Sequence, residues 1–200
     1  MLVEWFRCEV TDRRAFESDR AAGERSRELP GFLGRCGGWD RDDPLLAHVF
    51  AFWTDRFSYH DFLAGADGEL ARRETCEKAL VRTFMRRRDL PGGFQPRRRC
   101  AALLRVTYCA LRDGRFGNVI ERHNRMWEPR LAVASGMLGG FLAEERNTEV
   151  LVFSRWRERA DHDAYCEEIV RRVRERPEPP PPEFATMERH LVDVVPDWTV

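Results

Sequence analysis

With 200 residues, 42% of them apolar and 22 aromatic, the chain can bury one good core or two small ones of about 100 residues each. Its 34 basic and 34 acidic side chains cancel, so no whole-molecule field attracts nucleic acid or an anionic membrane, and no segment has the apolar length of a membrane span. The opening residues carry no basic leader or cleavage site, and Cys8, Cys36, Cys76, Cys100, Cys109 and Cys166 show neither CxxC spacing nor a nearby zinc-type histidine, so the sequence predicts a cytoplasmic protein with reduced, mostly buried thiols and no metal.

Residues Leu2 to Val10 alternate loosely and fit a strand. Thr11 or Asp12 can cap a helix that runs to about Glu28, where Leu29-Pro30-Gly31 stops it. Its inner face holds Ala15, Phe16, Asp19, Ala22, Gly23 and Ser26, a stripe so small that the helix either packs very close to the sheet or leaves a void for a ligand. Asp19 is the charged member of any such void. A glycine-rich strand, Gly31 to Trp39, turns through Asp40 to Pro44 into the partner strand Leu45 to Trp53, where His48 can face the interior. A helix from Ser58 to Ala66 and a strand from Lys78 to Met85 complete the first half. Pro91-Gly92-Gly93-Phe94-Gln95-Pro96 is a natural linker, and the arginine runs 86–88 and 97–99 beside it read as solvated.

The second half repeats that order. Ala102 to Ala110 is a strand, and Asp113 to Ser135 reads as one long helix. A step of 100° per residue puts Phe116, Val119, Ile120, His123, Met126, Trp127, Arg130, Leu131 and Ala134 in an arc about 140° wide, with Asn124 at its edge. His123, Trp127 and Arg130 break an otherwise ordinary core stripe, and a buried imidazole and guanidinium need hydrogen-bond partners or a wet pocket. Pro129 should kink the helix beside them. The structural alternative is a core histidine bonded to a carbonyl and an arginine reaching out through the kink. The glycines at 136, 139 and 140 follow directly, where they would let a ligand approach the backbone. Two further strands flank the turn at 145–148, a helix spans about Asp161 to Arg174, and Ala185 to Val195 closes the unit after a proline-rich loop.

Gly31-Phe32-Leu33-Gly34 matches Gly136-Met137-Leu138-Gly139, and Val49 to Trp53 matches Val152 to Trp156. The sequence therefore predicts an α+β fold of two tandem ferredoxin-like β-α-β-β-α-β units, residues 1–90 and 101–200 joined by a linker at 91–100, with their bare sheet faces packed together as an intrachain barrel. A chain of this kind is a monomer that acts as its own pseudo-dimer, with a further homodimer left open.

The segment Trp156 to Tyr165, preceded by Leu151-Val152-Phe153, resembles the third-strand-to-second-helix corner of the dimeric α/β-barrel superfamily, in particular its antibiotic-biosynthesis-monooxygenase-like domains; Trp53 to Phe62 is a weaker copy. The resemblance implies cofactor-free oxygenation of an electron-rich aromatic, polyketide-like substrate of secondary metabolism, or a related cyclisation or isomerisation. In that reading His123 is the general base, Asn124 and Arg130 hold the oxyanion, and Trp127 stacks on the ring. Asp19, His48, Trp156 and His162 are the further candidates for substrate contact, although Trp156 and His162 better suit a structural corner. Other branches imply haem, for which His123 or His162 would be the axial ligand. A non-catalytic binding protein is the third reading.

Overall fold

The structure is a computed structural model that describes residues 1–21, 29–65, 76–97, 101–112, 116–175 and 183–200. In chain order it runs β1 (Leu2–Val10), α1 (Arg13–Ala21), β2 (Phe32–Asp40), β3 (Leu46–Trp53), α2 (Arg56–Ala64) and β4 (Cys76–Asp89). The same order then recurs as β5 (Leu103–Leu111), α3 (Phe116–Met126) with a short α4 (Glu128–Ala132), β6 (Met137–Glu145), β7 (Glu149–Trp156), α5 (Arg159–Glu175) and β8 (Phe184–Val194), before a 3-10 turn at Pro196–Trp198. This is the α+β class, with two tandem ferredoxin-like units. The far end of the first helix, residues 22–28, and the proline-rich loop lie outside the described residues. No helix among the described residues is long and apolar enough to cross a membrane.

The first compact unit comprises Met1–Arg86, Gln95–Arg99 and Leu191–Val200. Its sheet has β1 between β3 and β4, with β2 on the far side of β3, every pair antiparallel. The last residues of β8 pair with β2, Gly38 lying opposite Val194. Asp12 caps α1 by accepting from the Arg14 and Ala15 N–H groups, as its residue type favours. Among the described residues of this helix Phe16, fully buried, packs within 5.7 Å of Trp39 and 5.4 Å of Trp198. The Ala15–Phe16 end of the small stripe is thus held against two indoles, one of them delivered by the C-terminal segment, and Ala22, Gly23 and Ser26 lie outside the described residues. Asp19 belongs to α1.

The sequence alone predicts reduced thiols, but the cysteines are not all reduced. Cys8 and Cys76 form a disulfide, their Cα atoms 5.8 Å apart, while Cys36, Cys109 and Cys166 are not disulfide-bonded and Cys100 lies outside the described residues. A bulge after Glu9 sets Val10 opposite Cys76 and so brings Cys8 within reach. Spacing of 68 residues could not reveal a cross-strand register.

The second unit comprises Arg87–Phe94 and Cys100–His190. Its strand order is β8-β5-β7-β6. Pro91 to Phe94, read above as linker, and Leu90, read as the end of the first half, are part of this unit's packing. The Leu90 N–H donates to the Gly140 carbonyl, the Gly140 N–H donates to the Gly93 carbonyl, and Phe94 meets the Phe141 ring edge-on at 4.7 Å. Gly139 and Gly140 accordingly accommodate backbone, not ligand. A Cβ on Gly139 would lie 1.9 Å from the Gly93 oxygen, at a φ of +118° that side chains avoid. Gly93 is also left-handed, at +66°, but faces open space. We therefore expect Gly139→Ala to destabilise the protein by about 2–4 kcal/mol and Gly93→Ala by only about 1–2, measured by urea denaturation. Equal losses would mean that the contact adds nothing to the backbone strain.

Candidate functional site

The polar helix face does meet a cavity. The expected long helix is broken: α3 ends at Met126, Trp127 sits at the junction, and Pro129 is the second residue of the short α4. The Trp127 N–H donates to the His123 carbonyl at 2.9 Å and the Leu131 N–H to the Trp127 carbonyl at 2.9 Å, so helical bonding carries the same face across the break. Val119, His123, Trp127 and Leu131, spaced by four, form one wall of a cavity of about 180 Å³ within the second unit.

The opposite wall is sheet. Arg105, Thr107 and Cys109 come from β5, and Val150, Val152 and Ser154 from β7, each trio following the two-residue period that puts alternate side chains on one face. Met187 and Arg189 of β8 and Tyr165 of α5 also line it. A dry cavity of about 150 Å³ holds benzene, so this one suits a compact aromatic molecule.

His123 is 6% exposed, and its Nδ1 is enclosed without a hydrogen-bond partner among the described residues. Burial lowers its pKa to about 4; Glu128 opposes that shift and Arg88 adds to it. The imidazole is therefore neutral at pH 7. Two acids of the lining stay protonated: burial pushes the Cys109 thiol up to about 12, and it raises the Tyr165 phenol against the opposing pull of Arg105.

Since the His123 pKa is lowered from 6.5, an unfolded chain binds a proton between pH 6.5 and about 4 that the fold refuses. This contribution is fully favourable above pH 6.5 and is lost as the pH falls toward 4, on the order of 3 kcal/mol in all. His123→Gln should flatten that part of the stability profile in urea melts at pH 7.5 and 4.5. Parallel profiles for the two proteins would show that the histidine is not buried neutral.

The other predicted residues lie elsewhere. Asn124 is exposed, hydrogen-bonded to Arg88, which also grips Glu128 with two bonds of 2.7 and 2.8 Å. Arg130 donates to the Met126 carbonyl at 2.6 Å, beside the helix break, with its guanidinium carbon 5.7 Å from the Trp127 ring. That is the structural alternative for this residue; neither side chain lines the cavity. Trp156 is fully buried, donates to the Ser154 hydroxyl at 3.1 Å, and meets the His162 ring edge-on at 5.2 Å. His162 sits with Nε2 3.5 Å from the Cys166 sulfur, away from the cavity lining.

His48 belongs to a buried chain in the first unit. The Trp5 indole N–H donates to its Nδ1 at 3.2 Å, so the proton of the neutral ring is on Nε2, which donates to Asp40 Oδ2 at 3.0 Å. Asp40 also accepts from the Asp42 and Asp43 N–H groups and so closes the β2–β3 turn.

Arg105, Arg189 and Tyr165 were not read from the sequence. The parity of Arg105, Thr107 and Cys109 was the available signal, but it was masked because Leu104 and Val106, on the opposite face of the strand, are buried as well.

Residues 2–85 match the family described as "Domain of unknown function (DUF4937)". None of the curated protein sequences matches the chain. Among solved structures the fold is similar to a candidate monooxygenase from Fusobacterium nucleatum subsp. nucleatum, with a TM-score of 0.70 at 11% identity over 96% of this chain and 91% of that one. A candidate monooxygenase from Lactobacillus acidophilus gives 0.65 at 10% identity, covering 99% and 94%, and an anthrone oxidase-like protein gives 0.64 at 13%, covering 97% and 91%. The chain thus shares the fold of these three proteins, in keeping with the resemblance carried by the Trp156–Tyr165 corner.

Proposed function

We propose that the second unit is the active site of a cofactor-independent oxygenase acting on an electron-rich aromatic substrate, such as a polyketide-derived phenol of secondary metabolism. The observation that carries this reading is an aromatic-sized cavity lined together by a neutral, unpartnered imidazole at His123, the Trp127 ring and the Tyr165 phenol. Trp127 supplies a face for stacking. His123 takes the proton of an activated C–H or O–H group, and its own cation, disfavoured by burial, becomes tolerable only beside the substrate anion formed in the same step. The resulting carbanion is oxidised by dioxygen: a C–O bond forms, the hydroperoxide loses water, and a methylene becomes a carbonyl. Atoms balance as substrate plus O2 giving ketone plus H2O.

The name of the anthrone oxidase-like neighbour is in keeping with this chemistry but supports only the choice of first substrate. Haem fits less well. A cavity only slightly larger than one that holds benzene does not admit a porphyrin several times that size, and His162 does not line it.

The test is oxygen uptake by chelator-treated protein with anthrone and related phenols. The reading expects one O2 consumed per substrate and a product that has gained one oxygen and lost two hydrogens. Uptake no faster than in protein-free buffer across the panel would sink it.

A further inference from the structure

The cavity holds more positive charge than its walls neutralise. Of the arginines that line it, Arg122 is paired with the buried Glu183 at 2.8 Å. Arg105 is half-buried beside Tyr165, whose ring centroid is 5.7 Å from the guanidinium and to whose hydroxyl it is hydrogen-bonded. Arg189 is exposed at the rim and contacts the Met187 sulfur at 3.1 Å. Among the described residues, neither Arg105 nor Arg189 has a carboxylate partner. They rise from neighbouring strands, β5 and β8, into one apolar-walled space, where two like charges repel and no carboxylate among the described residues pairs with either.

We propose that this pair binds a carboxylate on the substrate, so that the site takes an aromatic hydroxy acid: ring against Trp127, hydroxyl toward His123, carboxylate at Arg105 and Arg189. The planar guanidinium fork matches a carboxylate with two parallel bonds, and the Tyr165 hydroxyl, kept protonated, can donate to the same oxygens. Recognition at the rim also explains why a cavity so apolar in its walls carries cations at all. The proposal rests on the aromatic-site reading above and narrows it to acidic substrates.

The experiment compares 1-naphthol with 1-hydroxy-2-naphthoate, both followed by calorimetric titration and by quenching of tryptophan fluorescence. The full-length chain should bind the carboxylate at least about tenfold more tightly, as a charge-assisted bond allows, and the preference should shrink as salt is raised. Arg105→Gln and Arg189→Gln should each bring the two ligands to within about threefold, chiefly by weakening the acid. Arg189 is exposed, so its variant keeps the test valid if Arg105→Gln does not fold. Equal binding of the two ligands by the unmodified protein, or a preference that survives Arg189→Gln and Arg105→Gln, overturns the carboxylate site while leaving the aromatic reading standing. A clear preference for the acid, combined with no oxygen uptake on any phenol, would instead keep the carboxylate site and remove the oxygenase. Absence of binding by either ligand overturns both.

Discussion

His123→Ala should lower kcat for an accepted phenol by about 10²- to 10⁴-fold, with a much smaller change in KM, because it removes the group that carries the proton but not the walls that hold the ring. The pH dependence separates this role from mere packing. With its pKa held near 4 by burial, the histidine is already deprotonated well below neutrality, so its limb of the kcat/KM profile should be flat above about pH 5 and fall only as the pH approaches 4. A base near its ordinary value would instead produce a limb around 6.5. His123→Gln, which retains volume, should be as impaired as the alanine variant; if it kept most of the activity, the imidazole would be a cavity wall and the proton would go elsewhere.

The second large effect lies in the other unit and concerns stability. His48 is fully buried between Trp5, 1% exposed, and Asp40, 6% exposed. His48→Leu fills similar space but takes this partner from a buried carboxylate and from an indole N–H, each loss being about 1–3 kcal/mol. A destabilisation of about 2–5 kcal/mol should appear in urea denaturation, with naphthol binding in the second unit unchanged once the protein is folded. Trp5→Phe, which removes a single donor, should cost less, about 1–3 kcal/mol including lost contacts. If His48→Leu were neutral, the chain of hydrogen bonds would be dispensable, and the turn that Asp40 closes would have to be held by its backbone contacts alone.

Much of this architecture was legible because its signals are local. Alternation in LVEWFRCEV, the Asp-Pro turn after Trp39, and the paired Gly-x-x-Gly openings at residues 31–34 and 136–139 each act over a few residues. The structure places the register shifts of β2 and β6 at matching positions, between Phe32 and Gly34 and between Met137 and Gly139. The helix face at 119, 123, 127 and 131 was readable for the same reason, since a four-residue step survives even a break at Pro129. What failed was non-local. The glycines suggested a ligand because sequence cannot say which backbone arrives; here it is Gly92 and Gly93 at Gly139, and Phe153 at Gly140.

The site residues divide along the same line. Asn124 and Arg130 share the helix with His123, and helical angle alone placed them near the cluster, yet a surface arginine and a broken carbonyl captured them first. Arg105 and Arg189 belong to strands whose meeting depends on sheet order. Tyr165 was visible in the Trp156–Tyr165 corner, but only folding turns it toward the cavity rather than solely the core. A site assembled by tertiary pairing is thus half visible: one wall follows from a helical period and the other does not.

The most direct test of the account is an NMR titration of the imidazole signals, with His123 assigned by its loss in His123→Gln, in the absence and presence of 1-naphthol. The account predicts a His123 that stays neutral down to about pH 4 and whose signals shift when the aromatic ligand fills the cavity. A His123 that titrates near 6.5 and ignores the ligand would contradict it, placing the ring in water and the ligand, if bound, somewhere else.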